Sequence, residues 1–140
     1  MEKVIVNKTE YPIHDVIFDG ERYKVILTRG TYIFGAGLCV RVWNVDKEKK
    51  EISFWEELSV NPFPERLKEG HAAICRFEED GGAEMIQKLL TDIGAVKVSD
   101  MKRYNNMDAY IYDFTKTDIK TQEREIDITK NIMFIDEAVS

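Results

Sequence analysis

The sequence predicts an α+β domain: a mostly antiparallel β-sheet of about six or seven strands, with one main helix packed on one face. Three observations predict it. Short runs rich in β-branched and aromatic residues recur along the chain, bounded by turn residues. One of these boundaries is Asp19-Gly20, a pair suited to a two-residue hairpin turn. A single segment, within 78–98, carries apolar residues at three- and four-residue spacing.

Taken in order, "KVIVNK" predicts a strand at Lys3–Asn7. Strands at Ile13–Phe18 and Arg22–Thr28 flank Asp19-Gly20, and Pro12 sits where a strand begins because it has no N–H to donate. "YIFGAGLCVRVWNV" predicts a longer strand with Leu38, Val40 and Val42 on one face and Cys39, Arg41 and Trp43 on the other. Gly35 and Gly37 weaken its start and suggest a bulge or a close backbone approach.

The stretch "ISFWEELSVN" reads as a strand ended by Asn61-Pro62. Ile52, Phe54, Leu58 and Val60 are assigned to the core face. Glu56 interrupts them, as an inward charge guarding an edge or as a bulge position. "HAAICRF" gives a further strand. In the helix, Met85, Ile86, Leu89, Leu90 and Ile93 make one stripe, Asp80 can cap it and Gly94 can stop it. "AYIYDF" alternates Tyr110, Tyr112 and Phe114 against Ala109, Ile111 and Asp113.

Residues 1–115 are expected to form one domain. Residues 116–140 read as a C-terminal extension adding a strand, to the same sheet or to a partner. Its run Ile132–Ile135 is too apolar for a disordered tail and offers a route to a homodimer.

The 140 residues suffice for a core without staples. Net charge is −6, which disfavours a nucleic-acid binder and leaves either a basic partner surface or plain solubility. Cys39 and Cys75 lie inside apolar runs and read as small buried hydrophobes before they read as a disulfide or a reactive thiol. With no signal-peptide pattern and no long apolar run, the expectation is a cytoplasmic protein that does not span a membrane.

No reaction is spelled out. His14 and His71 have no metal-ligand spacing around them, and neither cysteine sits at a predicted helix start, so no metal, cofactor or catalytic residue is assigned. Gly81-Gly82 precedes a helix, but Glu78, Glu79, Asp80 and Glu84 surround it and would repel a phosphate. Glu56-Glu57 and Glu78–Asp80 read as chance clusters first. Alternatively they form an acidic face for a basic nuclease surface, or the acidic pairs of a cryptic hydrolase. The aromatics read as packing first; Trp55 and Phe63 are the expected exposed pair. The candidate partner-binding set is therefore Trp55, Glu57, Phe63, Glu78, Glu79 and Asp80. Arg22, Arg29, Arg41 and Tyr32 form the alternative set, for a nucleotide-like ligand.

"TYIFGAGLCVRVW…ELSVN…HAAICRF…LLTDIGAV" resembles a family of short uncharacterised proteins carried by phages and conjugative elements of Gram-positive gut bacteria. The resemblance rests on Tyr32, Gly37, Leu38 and Cys39, on Leu58–Asn61, on Ala73–Cys75 and on Ile93-Gly94, within residues 21–115. Ala109–Phe114 lacks the family's Ser-Gly-aromatic signature, and the tail after Lys116 has no counterpart. The resemblance implies an accessory role, such as blocking a host defence system. The expectation is a non-enzymatic inhibitor of a host protein, of the anti-CRISPR type. The alternatives are a module sequestering a nucleotide-like ligand, and a structural or oligomerisation role.

Overall fold

The computed structural model describes residues 2–32, 37–76, 82–117 and 131–139. Twelve strands and one helix occur among them, and every pairing between named strands is antiparallel. The excess over six or seven strands comes from short pieces of two to four residues, below the length at which alternation can be recognised.

The first is a hairpin of β1 (Lys3–Val6) and β2 (Thr9–Pro12). Its turn puts Asn7 and Lys8 at φ 49° and 68°. Two left-handed residues match the right-handed twist of the strands, at a cost Asn bears better than Lys. The second hairpin joins β3 (His14–Phe18) to β4 (Glu21–Thr31) through Asp19 and Gly20, at φ 50° and 77°. β4 then pairs with β5 (Leu38–Asp46), and β5 with β6 (Glu51–Glu57). A strand β11 (Ile132–Phe134) closes this five-stranded sheet on the far side of β6.

The chain does not stop at β6. Leu58 donates its N–H to Val40 (2.8 Å), and its carbonyl accepts from Cys75 (2.8 Å). Residues 58–60 therefore stitch β5 to β7 (His71–Cys75), which opens a second sheet. There β7 pairs with β10 (Met107–Asp113), and β10 with the short strands β8 (Val96–Lys97) and β9 (Lys102–Tyr104).

The helix α1 spans Gly82–Ile93. Met85, Ile86, Leu89 and Leu90 are buried against Val16, Val25, Leu27, Val40, Val42, Ala72 and Ile74, so one helix face covers both sheets where they join. Each such side chain contributes about 2 kcal/mol by leaving water. Gly94, at φ 87°, ends the helix: Ala95 N–H bonds the Leu90 carbonyl (2.9 Å) and Gly94 N–H that of Thr91 (3.1 Å). Both bonds satisfy carbonyls that a helix end leaves bare, in the Schellman arrangement. Asp80, the expected cap, lies outside the described residues.

The opposite face of the five-stranded sheet carries Ile26, Trp43, Val45 and Ile52. It is covered by the β1–β2 hairpin, to which β12 (Glu137–Val139) adds a third strand beside β1. Val4, Val6, Tyr11 and Ile13 come from that layer, and Met133 and Ile135 from the C-terminal segment. The run offered to a second chain is thus divided: Met133 and Ile135 are buried within this chain, while Ile132 and Phe134 face out.

Candidate functional site

The register of β4, β5 and β6 gathers three of the residues singled out in the sequence. Arg41 stands opposite Glu57, and its Nε and Nη2 donate to Glu57 Oε1 at 3.2 and 3.1 Å. Cys39 Sγ donates to the same oxygen at 3.2 Å. Tyr32, just past β4, shares a 2.9 Å hydrogen bond with Ser59 Oγ, and that oxygen also accepts the Val40 N–H at 2.9 Å. A close approach allows this: a Cβ on Gly37 would lie 3.0 Å from the Pro62 ring.

Burial sets the electrostatics of the cluster. It pushes the Cys39 thiol up to about 11, reinforced by the bond to Glu57. Burial raises the Tyr32 hydroxyl too, only partly offset by Ser59. Both groups therefore keep their protons at neutral pH, and neither is an activated nucleophile or base. Cys75 is also pushed up to about 11 by burial. Beneath the cluster, Trp43 Nε1 donates to the buried Thr28 hydroxyl at 2.9 Å, and Phe54 meets the Trp43 ring edge-on at 5.5 Å. The polar groups are spent on one another and hold three strands together.

The remaining expectations divide. Trp55 is half-buried rather than exposed. A β-bulge sets Val42 opposite Glu56 and Trp43 opposite Phe54, leaving Trp55 as the extra residue. Alternation from Ile52 and Phe54 already points it to the helix-facing side, where it packs edge-on to Phe18 (5.5 Å) and against Tyr23 (5.1 Å), and the bulge keeps Glu56 on that side too. Phe54, assigned to the core, lies at its margin, while Ile52, Leu58 and Val60 are buried. Arg22 is exposed at the start of β4 and Arg29 is half-buried on the helix-facing side, so the four-residue ligand set does not assemble. Glu78, Glu79 and Asp80 lie outside the described residues.

Phe63 is exposed, at 54% of its surface. Its loop is pinned: Phe63 N–H bonds Asn61 Oδ1 (3.0 Å), Asn105 Nδ2 bonds the Asn61 carbonyl (3.0 Å), and Lys102 reaches Glu65 (3.4 Å). The loop therefore sits against the β9–β10 hairpin, where Met101 and Met107 are 44% and 46% exposed.

A concave surface lies elsewhere, between α1 and β10. It is a groove of about 460 Å³. Ile74, Ile86 and Leu90 form its floor, Gln87 and Ala83 rise from the helix, and Tyr110 and Tyr112 come from alternate positions of β10. Lys97 stands at the β8 lip with its ammonium 4.5 Å from the Tyr110 ring centroid. Arg76 forms the other lip and donates to Met101 sulfur at 3.5 Å. None of these lining residues was singled out as a site residue from the sequence. The signal available was a Tyr-x-Tyr alternation facing a helix stripe broken by Gln87.

His14 has its pKa lowered by burial, opposed by Asp92 and Asp15, and His71 lies 3.9 Å from Asp113. Among the described residues, no three His, Cys, Asp or Glu side chains are grouped to hold a metal, and no helix is long and apolar enough to cross a membrane. Comparison of the chain with protein-family models, with curated proteins and with solved structures returned no match.

Proposed function

We propose that this protein acts by binding another protein, with Phe63 at the centre of the contact. The observation that carries the reading is the exposed Phe63 ring on a loop fixed by side-chain hydrogen bonds. A fixed aromatic loses little entropy when it is buried in a partner. Met101 and Met107 on the adjacent hairpin supply adaptable apolar area, and Glu65, Lys102 and Arg103 supply a charged rim. The raised thiol and phenol of the Tyr32–Glu57 cluster favour binding over nucleophilic chemistry. A host defence protein as the partner, and an inhibitory effect on it, rest on the sequence resemblance to mobile-element proteins.

The test is affinity capture with the full chain against purified nuclease effectors and other defence proteins. The expected result is a partner retained by the wild type and lost by Phe63→Ser with Met107→Ser, at unchanged melting temperature. Failure of every defence protein to be retained would remove the inhibitor reading.

A further inference from the structure

We propose that the groove between α1 and β10 binds a small ligand carrying an anionic group on a planar ring, the chemistry that a nucleoside monophosphate presents. The site is separate from the Phe63 surface and does not depend on the protein-binding reading.

The sheet around β10 extends beyond the helix that covers its neighbours. Tyr112 packs against the core under α1, while Tyr110 lies one pair of residues further along the same face. On the helix, Ala83 and Gln87 share one face with the floor residues Ile86 and Leu90 by their spacing, and they form the opposite wall. The result is a slot with an apolar floor, two phenol rings on one side and a carboxamide on the other. About 460 Å³ falls within the range of small-molecule sites, roughly 300–1,000 Å³.

Lys97 fixes the charge of the ligand. Its ammonium is held over the Tyr110 ring, and among the described residues it meets no carboxylate. A cation resting on a ring at the mouth of an apolar slot is attracted by the ring quadrupole, yet keeps donors for an anion. The tyrosine hydroxyls and Gln87 can both donate and accept, which suits the edge of a heterocycle better than a hydrocarbon. A planar ring is inferred from the two tyrosine rings in the lining, against which such a ring can stack.

Isothermal titration of the full chain with the four nucleoside 5′-monophosphates, with a nucleoside and with inorganic phosphate as separate probes, tests the assignment. At least one monophosphate is expected to bind, more tightly than either the nucleoside or phosphate alone. Lys97→Ala should weaken that binding at least tenfold without moving the melting temperature, and Gln87→Ala should weaken it less. Amide shifts in an NMR titration should centre on Gln87, Lys97, Tyr110 and Tyr112. The proposal is overturned by no binding of any monophosphate at millimolar concentration, by equal binding of phosphate alone, by full retention in Lys97→Ala, or by shifts centred elsewhere.

Discussion

The Tyr32–Glu57 cluster and the α1–β10 groove are built from the same kinds of residues and stand in opposite states. Each has a tyrosine and a cation over an aromatic ring: Arg41 lies 5.8 Å from the Phe54 centroid, and Lys97 4.5 Å from that of Tyr110. In the cluster, Glu57 takes up Arg41 and Cys39, and Ser59 takes up Tyr32 and a backbone N–H. In the groove, Lys97 meets a ring and, among the described residues, no carboxylate. Residue types alone therefore do not make a site. What distinguishes the two is whether the cation over the ring has already found a carboxylate among the described residues.

The largest expected effect concerns the cluster's thiol. Cys39 is raised from 9.0 to about 11, so at pH 8 the native protein holds about a hundredfold less thiolate than the unfolded chain. Alkylation by iodoacetamide should slow by about that factor on folding, and Glu57→Gln should restore part of the rate. Equal rates in native and denatured protein would show that the thiol is not held as described.

Ser59→Ala comes next. It strands the Val40 N–H in the interior and is expected to cost about 1–3 kcal/mol by urea denaturation, with the groove unaffected. Glu57→Gln should cost less, about 1 kcal/mol, because its carboxylate is partly solvated and screened. Lys97→Ala should change stability by less than about 0.5 kcal/mol, as expected of a surface side chain away from the core. A large loss there would mean that the groove lysine is as structural as Arg41, and the contrast would collapse.

A last, small effect lies outside both regions. Glu2 binds Lys24 and Lys47, and these bonds hold its carboxyl at about 2 rather than 4.5. A carboxyl with a depressed folded pKa stabilises above its unfolded value and loses that contribution as pH falls through the folded one. Its contribution should be complete above about pH 4.5 and gone near pH 2. Glu2→Gln should melt slightly below wild type at pH 7 and level with it at pH 2, the gap shrinking in high salt.

Much of the scaffold was legible because its signals are local. The helix stripe, its stop at Gly94 and the Asp19-Gly20 hairpin each depend on residues within a few positions. The β1–β2 hairpin was not, because Asn7-Lys8 lacks the glycine that usually marks such a turn. Trp55 was misassigned for one physical reason. It points opposite to Phe54 as alternation requires, but that face is covered as well, by α1 with Phe18 and Tyr23, and only the pairing with β5 reveals the bulge that moves Leu58 to the same side. Arg41, Glu57 and Tyr32 could be nominated as polar residues in strands, but their convergence depends on the same register. The groove draws on α1, β7, β8 and β10, and no sequence window contains it.

The pairing of β1 with β12 has a consequence for synthesis. Lys3 lies opposite Val139, and Met133 seals the Ile52 side of the sheet. Until the ribosome has released this segment, Trp43 and Ile52 wait beneath an unfinished lid. A nascent chain should accordingly expose one apolar face until residues 131–139 have left the ribosome. A chaperone that recognises such faces would meet this protein from the side of the small three-stranded sheet, while the helix-covered side could already be closed.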